Sequence, residues 1–321
     1  MMPPLKRIAE HILETDNFLV VSHITPDGDA LGSMLAVGEI LTILGKKVIL
    51  FNESGLPDRF TWLMPCREIL QILPDTPVDT IIVLDCGGVD RPGTVIAPWL
   101  LSKTVINIDH HLGNPMFGTL NWVDQRASSV GEMIGVLARE LGIPLCGLLG
   151  QYIYLALISD TGDFSFNNTR PETLEMAAEI LRLGLLPGPF HEQKQSTGTI
   201  NQLQMRGAVL QQAKLYAQGK ISVITFTKEL FDQTGTTPED TEGLVNTVLY
   251  IRGVQAAISI REEANSLKFS LRSKGSTNVQ AVAAHFGGGG HRNAAGGTLI
   301  MPIAQAQELL IDAVTKALPN S

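Results

Sequence analysis

Three short apolar runs early in the chain each stop on side chains that bind cations. Phe18-Leu-Val-Val-Ser22 is followed by His23, Thr80-Ile-Ile-Val-Leu84 by Asp85, and Thr104-Val-Ile-Asn-Ile108 by Asp109, His110 and His111. Short runs rich in β-branched residues are what interior strands of a parallel sheet require, since both of their faces are covered. Pro26, Gly28 and Gly32 break regularity after the first run, and Ala30 to Leu44 then shows helical apolar spacing. His23, Asp27 and Asp29 therefore fall in a tight loop between a strand and a helix. That loop lies at the strand's carboxyl end, where open α/β sheets bind ligands. A fourth run, Leu155-Ala-Leu-Ile-Ser159, stops on Asp160 and has the pattern of a helix end rather than a strand.

Buried segments that each end on a carboxylate or an imidazole gather like charges at one edge of a sheet. Such convergence is costly unless cations neutralise it, and metal binding is the simplest resolution. Singly, each piece has a plainer reading. A lone Asp after a strand is usually a cap or turn residue, adjacent histidines are as often structural, and Asp160-Thr-Gly162 suits a helix stop and turn. Three candidate ligands between His23 and Asp29 are harder to explain that way, and the four elements in this order argue for a metal centre. Carboxylates and imidazoles without thiolates suit Mn²⁺ better than Zn²⁺. Cys86, beside Asp85, is better explained as a buried structural thiol than as a soft ligand.

Composition narrows the class. A length of 321 residues suggests two domains, and 44% hydrophobic with 17% charged residues is ordinary for a globular enzyme. Met-Met-Pro-Pro-Leu-Lys begins no signal sequence, and no apolar run approaches the ~20 residues of a membrane-spanning helix, so a cytoplasmic protein is expected. Three scattered cysteines suggest neither a disulfide framework nor a zinc site. Acidic residues outnumber basic ones, 32 to 24, for a net charge of −8, and there is no Lys/Arg-rich tract. Long duplex or processive single-strand binding is therefore disfavoured, whereas a short oligonucleotide or a mononucleotide needs only a few local cations.

The expected architecture is α/β in two lobes. Residues 1–187 alternate strand and helix patterns, as a mostly parallel sheet covered by helices would. Ala127–Gly142 and Pro171–Gly184 read as amphipathic helices ending in glycine, and Leu185-Leu-Pro-Gly-Pro-Phe190 is the candidate breakpoint. A polar helical connector, 188–218, leads to a smaller α/β lobe with a mixed sheet, 219–321. In that lobe Ile221–Thr227 reads as a strand and Pro238–Ile251 as one helix with acidic residues in its first turn. Ala256–Arg261 and Leu267–Arg272 form a strand pair turning at Asn265-Ser266, and Asn278–Phe286 is a helix. It runs into Gly287-Gly-Gly289-Gly290-His291. Four consecutive glycines suit neither a helix nor an ordinary strand interior, and they expose backbone N–H groups to a ligand. Arg272, at a strand end, is the natural partner for a phosphate, while Glu262 and Glu263 make a salt bridge the better role for Arg261.

The strings HITPDGDALGS, VLDCGG, IDHHLGN and ISDTGDFSF resemble the four successive motifs of the DHH phosphoesterase superfamily. FGGGGHRNAAGG resembles the glycine-rich signature of its accompanying DHHA1 domain, and size and layout resemble the stand-alone nanoRNase type. The resemblance implies hydrolysis of short single-stranded RNA or dinucleotides and of 3′-phosphoadenosine-5′-phosphate (pAp). It implies two divalent ions, Mn²⁺ with Mg²⁺ or Co²⁺ as alternatives. One would lie on His23, Asp27 and Asp85, the other on Asp29, Asp85, His110 and Asp160, with Asp85 as the bridge. His111 would contact the phosphate or assist the leaving oxygen, Asp109 would orient a ligand imidazole, and Arg272, Gly289, Gly290 and His291 would hold the substrate. No membrane or long-duplex partner is expected, and the acidic surface permits a homodimer. The missing Ser-Arg-Lys-Lys type signature argues against a manganese pyrophosphatase. A cyclic-dinucleotide phosphodiesterase is the nearer alternative, and a catalytically dead nucleotide-binding regulator would require a damaged ligand set.

Overall fold

The computed structural model describes residues 3–196, 198–241 and 243–319, and the chain divides into two compact units, Met1–Thr197 and Gly198–Ser321. The first unit contains strands β1 (Asn17–Ser22), β2 (Lys47–Phe51), β3 (Ile69–Leu70), β4 (Thr80–Leu84), β5 (Thr104–Asp109) and β6 (Leu120–Val123). They form one sheet in the order β3-β2-β1-β4-β5-β6, parallel throughout. The order reverses between β1 and β4, which lie side by side with Val21 opposite Val83. Such a switch point opens a crevice at the carboxyl edge of the sheet.

Side chains alternate between the two faces. Phe18 and Val20 pack into the main core, while Leu19 and Val21 join Phe51, Ile81, Val83, Cys86 and Val105 on the other side. The helices of this unit are α1 (Pro4–Glu14), α2 (Gly28–Ile43), α3 (Ala97–Leu100), α4 (Val130–Glu140), α5 (Gly147–Asp160), α6 (Pro171–Arg182) and α7 (Pro187–Gln195). Helices α2 and α5 are buried almost all round, as central helices must be when apolar residues occupy every side. They cross with hardly any side chain between them. A Cβ on Gly32 would stand 2.5 Å from the Tyr152 carbonyl oxygen, one on Gly28 2.6 Å from Ser159 Oγ, and one on Gly131 2.2 Å from Ala156 Cβ. This close crossing draws the carboxyl end of α5, with Asp160, to the amino ends of α2 and α4.

The expected breakpoint behaves differently. Pro187 lies in the first turn of α7, where its missing N–H costs nothing. Phe190 is buried edge-on against Trp62 and Tyr154, with ring centroids 5.1 and 5.3 Å away. The division falls after Thr197, so the 188–218 stretch is shared between the units.

The second unit contains α8 (Ile200–Gln211), β7 (Lys214–Tyr216), β8 (Ile221–Phe226), α9 (Lys228–Thr234), α10 (Leu244–Leu249), β9 (Ala256–Glu262), β10 (Leu267–Ser273), α11 (Val279–His285), β11 (Gly289–His291), β12 (Ala294–Leu299) and α12 (Ile303–Ala317). Its sheet runs β11-β12-β10-β9-β8-β7 and is mixed, with β8 and β9 parallel and the other neighbours antiparallel. Residues of α11 and α12 cover one face, and residues of α8, α9 and α10 the other. Two expectations need correction. The Pro238–Ile251 segment is not one helix: a 3-10 turn, Pro238–Thr241, precedes α10, and Gly243 between them is left-handed (φ 76°). Part of the glycine string is a strand, since Gly289 and Gly290 belong to β11 at the sheet edge. Glycine is required beside it, because a Cβ on Gly288 would stand 2.2 Å from the Gly296 carbonyl oxygen. No helix among the described residues is long and apolar enough to cross a membrane.

Candidate metal centre

The loop after β1 is shaped by its own polar groups. His23 Nδ1 lies 2.9 Å from the Ile24 carbonyl oxygen, and the Asn52 amide donates to the His23 carbonyl at 2.9 Å and to Ser22 Oγ at 3.2 Å. Asp27 caps α2, its Oδ1 accepting from the N–H groups of Asp29 and Ala30 at 3.0 Å each. Asp29 is fully buried and accepts from Val130 N–H (2.7 Å), Gly131 N–H (2.9 Å) and Ser33 Oγ (3.0 Å). It thus sits in the first turn of α2 and against the amino end of α4, where two helix dipoles favour a carboxylate.

Asp85 follows β4 with a left-handed backbone (φ 57°), a conformation that costs most residues energy and recurs at functional sites. Its Oδ2 is 3.5 Å from His23 Nε2, and its Oδ1 is 3.6 Å from His110 Nε2 and 3.5 Å from His111 Nδ1. His110 Nδ1 meets the Ala127 carbonyl oxygen at 3.1 Å, which turns Nε2 toward Asp160 Oδ2 (3.2 Å) and Asp29 Oδ2 (3.9 Å). His111 Nδ1 lies 2.8 Å from Asp109 Oδ1, and the Asn114 amide donates to Asp109 Oδ2 at 2.6 Å. Ligand atoms of His23, Asp27 and Asp85 lie within 4.8 Å of one another, as do those of Asp29, Asp85 and His110, and those of Asp85, Asp109 and His111. Asp85 belongs to all three groups.

The electrostatics fit a cation site. Burial opposes charging His23, yet the hydrogen bond to Asp85 and the charges of Asp27 and Asp85 outweigh it and raise its pKa. Burial is likewise outweighed at His110 by Asp85 and Asp29, and at His111 by Asp109 and Asp85. Burial, assisted by the charge of Asp85, pushes Asp29 up to about 7, and burial with Asp29 beside it pushes Asp160 well above the carboxylate range. Burial also works against ionised Asp85, but the imidazoles of His23, His111 and His110 hold it below that range. Asp85 Oδ1 is buried and accepts no hydrogen bond among the described residues. Three further carboxylates and two imidazoles around such an atom form, with Asp85, a hard donor set fitted to divalent ions.

All six ligands expected from the sequence come together at the carboxyl edge of the first sheet. His111 lies beside them, and Asp109 orients this histidine, which is not one of the six, rather than a ligand imidazole. Cys86 donates Sγ–H to the Leu84 carbonyl (3.3 Å), as a structural thiol does. Sequence reasoning missed Asn52 and Asn114, whose amides hold the His23 carbonyl and the Asp109 carboxylate. Asn114 had one signal, its place three residues after the histidine pair where a turn was due. In the second unit, Arg272 of β10 stands opposite Ala294 of β12, and Ala294 opposite His291 of β11. Arg272 and His291 thus share one cross-strand row, and Arg261 pairs with Glu263 at 2.6 Å.

A parallel sheet carrying these motifs at its switch point defines a class of protein. The N-terminal domain of the DHH family matches residues 17–157 and the DHHA1 domain matches residues 218–319; the chain belongs to the DHH family. It is 32% identical over 307 residues to the bifunctional oligoribonuclease and PAP phosphatase NrnA of Thermus thermophilus, which covers 94% of this chain and 90% of that one. To the protein of the same description from Bacillus subtilis it is 30% identical over 308 residues, 94% of each chain. The structure is similar to that of an exopolyphosphatase-related protein from Bacteroides fragilis, with a TM-score of 0.88 and 28% identity over 98% of this chain and 96% of that one.

Proposed function

We propose that this chain hydrolyses short oligoribonucleotides to mononucleotides and pAp to AMP and phosphate, using two divalent ions, with Mn²⁺ the best fit to its donors. The observation that carries the reading is the sharing of Asp85 between the His23–Asp27 group and the Asp29–His110 group, with Asp160 beside the second. The likeness to the two NrnA proteins over nearly their whole length supports the choice of substrates. His23, Asp27 and Asp85 would hold one ion, and Asp29, Asp85, His110 and Asp160 the other. Bound there, the ions would supply positive charge for the phosphoryl oxygens and make water more acidic at neutral pH.

The protein's own groups do the rest. His111 is half-exposed beside the centre, its ring fixed by the Nδ1 contact to Asp109. Held so, it would give a proton to the departing oxygen as the phosphorus–oxygen bond breaks. Arg272 and His291, in one row of the second sheet, would hold the distal phosphate. The backbone of Gly289, where a Cβ would meet nothing within 4 Å, would let that phosphate approach closely, while Gly290 packs against Ala294 and Ala295 of β12.

The test is product release with Mn²⁺ from pAp, 5′-phosphorylated RNA dimers to 10-mers, cyclic di-AMP and pyrophosphate, with Asp85→Ala as the blank. Turnover of pAp and the shortest RNAs, lost in the variant, is expected. Turnover of pyrophosphate alone or of cyclic di-AMP alone would overturn the assignment, as would no turnover at all.

A further inference from the structure

Two of the six candidate ligands bond directly to one short segment, residues 127–131, and the backbone of a third, Asp160, is joined to it through Asn168. The Ala127 carbonyl oxygen meets His110 Nδ1 at 3.1 Å, and the N–H groups of Val130 and Gly131 donate to Asp29 at 2.7 and 2.9 Å. The Asn168 amide donates at 3.0 Å both to the Ser128 carbonyl of this turn and to the Asp160 carbonyl. His23 and Asp27 are held elsewhere, by Ile24, Asn52 and the cap of α2.

Glu132 is what fixes the turn. Its side chain is buried, and Oε2 accepts from Ser128 N–H (3.0 Å), Ser128 Oγ (2.6 Å) and Thr173 Oγ1 (2.8 Å), while Oε1 accepts from the Arg170 guanidinium. Ser129-x-x-Glu132 has the spacing of a capping box, and the Ser129 hydroxyl does accept from Glu132 N–H at 3.0 Å. The carboxylate, however, reaches past the cap residue to Ser128. It therefore secures the turn as well as the helix, and Arg170 balances its buried charge.

We propose that Glu132 is the positioning residue for the Asp29–His110–Asp160 half of the centre and sets the ion affinity of that half alone. This rests on the two-ion reading above. Outer groups that orient metal ligands typically govern affinity by about 10–100-fold.

The experiment is a calorimetric titration of Mn²⁺ into the full chain and into Glu132→Gln, with thermal unfolding of both proteins before metal is added. The expected result is two ions in the parent protein and, in the variant, one site weakened by about 10–100-fold with the other unchanged. Equal weakening of both sites, or of neither, overturns the proposal. Should Glu132→Gln fail to fold, Asn168→Ala, at an exposed position, must show the same one-sided loss, and its absence overturns the proposal too. Fewer than two ions in the parent protein would instead overturn the two-ion reading, and this inference with it.

Discussion

The two units prepare their candidate sites by opposite means. In the first, side chains carry the chemistry: strands end side by side at the carboxyl edge, and carboxylates and imidazoles from three other segments gather around Asp85. In the second, the absence of side chains matters most, because the Gly288 backbone approaches Gly296 so closely that no Cβ fits between them. A site of the first kind should lose function without losing its fold when one atom is changed. A site of the second kind should lose local structure first.

The largest effect is expected from Asp85→Asn. Asparagine tolerates the left-handed backbone and keeps the shape while removing the charge. Turnover should fall by about 10³-fold or more while the melting temperature stays near that of the parent. A variant that loses stability in proportion to activity would erase the contrast between the units.

Next come two glycine substitutions. Gly288→Ala places a methyl group 2.2 Å from a backbone oxygen, and Gly32→Ala places one 2.5 Å from another. Each should cost about 1–3 kcal/mol in chemical denaturation, because neither neighbour is a flexible side-chain tip. They should part in function: Gly288→Ala raises KM for a dinucleotide and leaves Mn²⁺ affinity alone, whereas Gly32→Ala, at the crossing that sets Asp160, weakens Mn²⁺ binding. Identical profiles would break the comparison.

Much of the first unit was legible because its signals are local. An apolar run followed by Asp or His is a strand end, and the run to Asp160 has helical character, so both the elements and the ligands could be read from consecutive residues. What escaped depends on distant partners. Nothing near Pro187 announces that Phe190 will bury itself against Trp62 and Tyr154. Pro-Gly-Pro therefore looked like a break, although proline suits a first helical turn. Gly243 adopts a left-handed backbone that splits an otherwise helical pattern. The edge strand at Gly289 needs β12 beside it to exist. The supporting hydrogen bonds of Asn114 and Glu132 likewise join residues whose proximity only the fold creates.

A smaller effect is expected at Asn114, whose amide also donates to the Cys86 carbonyl at 3.0 Å and so ties the Asp109–His111 pair to the loop after β4. Asn114→Ala should lower kcat by about 10-fold with KM nearly unchanged, read in steady-state kinetics. The smallest effect concerns the thiols. Cys146 is exposed, while burial raises Cys86 well above the ordinary thiol range and pushes Cys66 up to about 11. A raised pKa means less thiolate at pH 8, so mass spectrometry after brief iodoacetamide treatment should find Cys146 labelled first and Cys86 protected.

The central claim is that two ions share Asp85. Electron paramagnetic resonance of the Mn²⁺-saturated chain tests it most directly, since ions about 3.5–4 Å apart couple magnetically. A spin-coupled Mn²⁺ pair that disappears in Asp85→Asn is expected. A spectrum of isolated Mn²⁺ in the parent protein, or a coupled pair that survives the substitution, would contradict it.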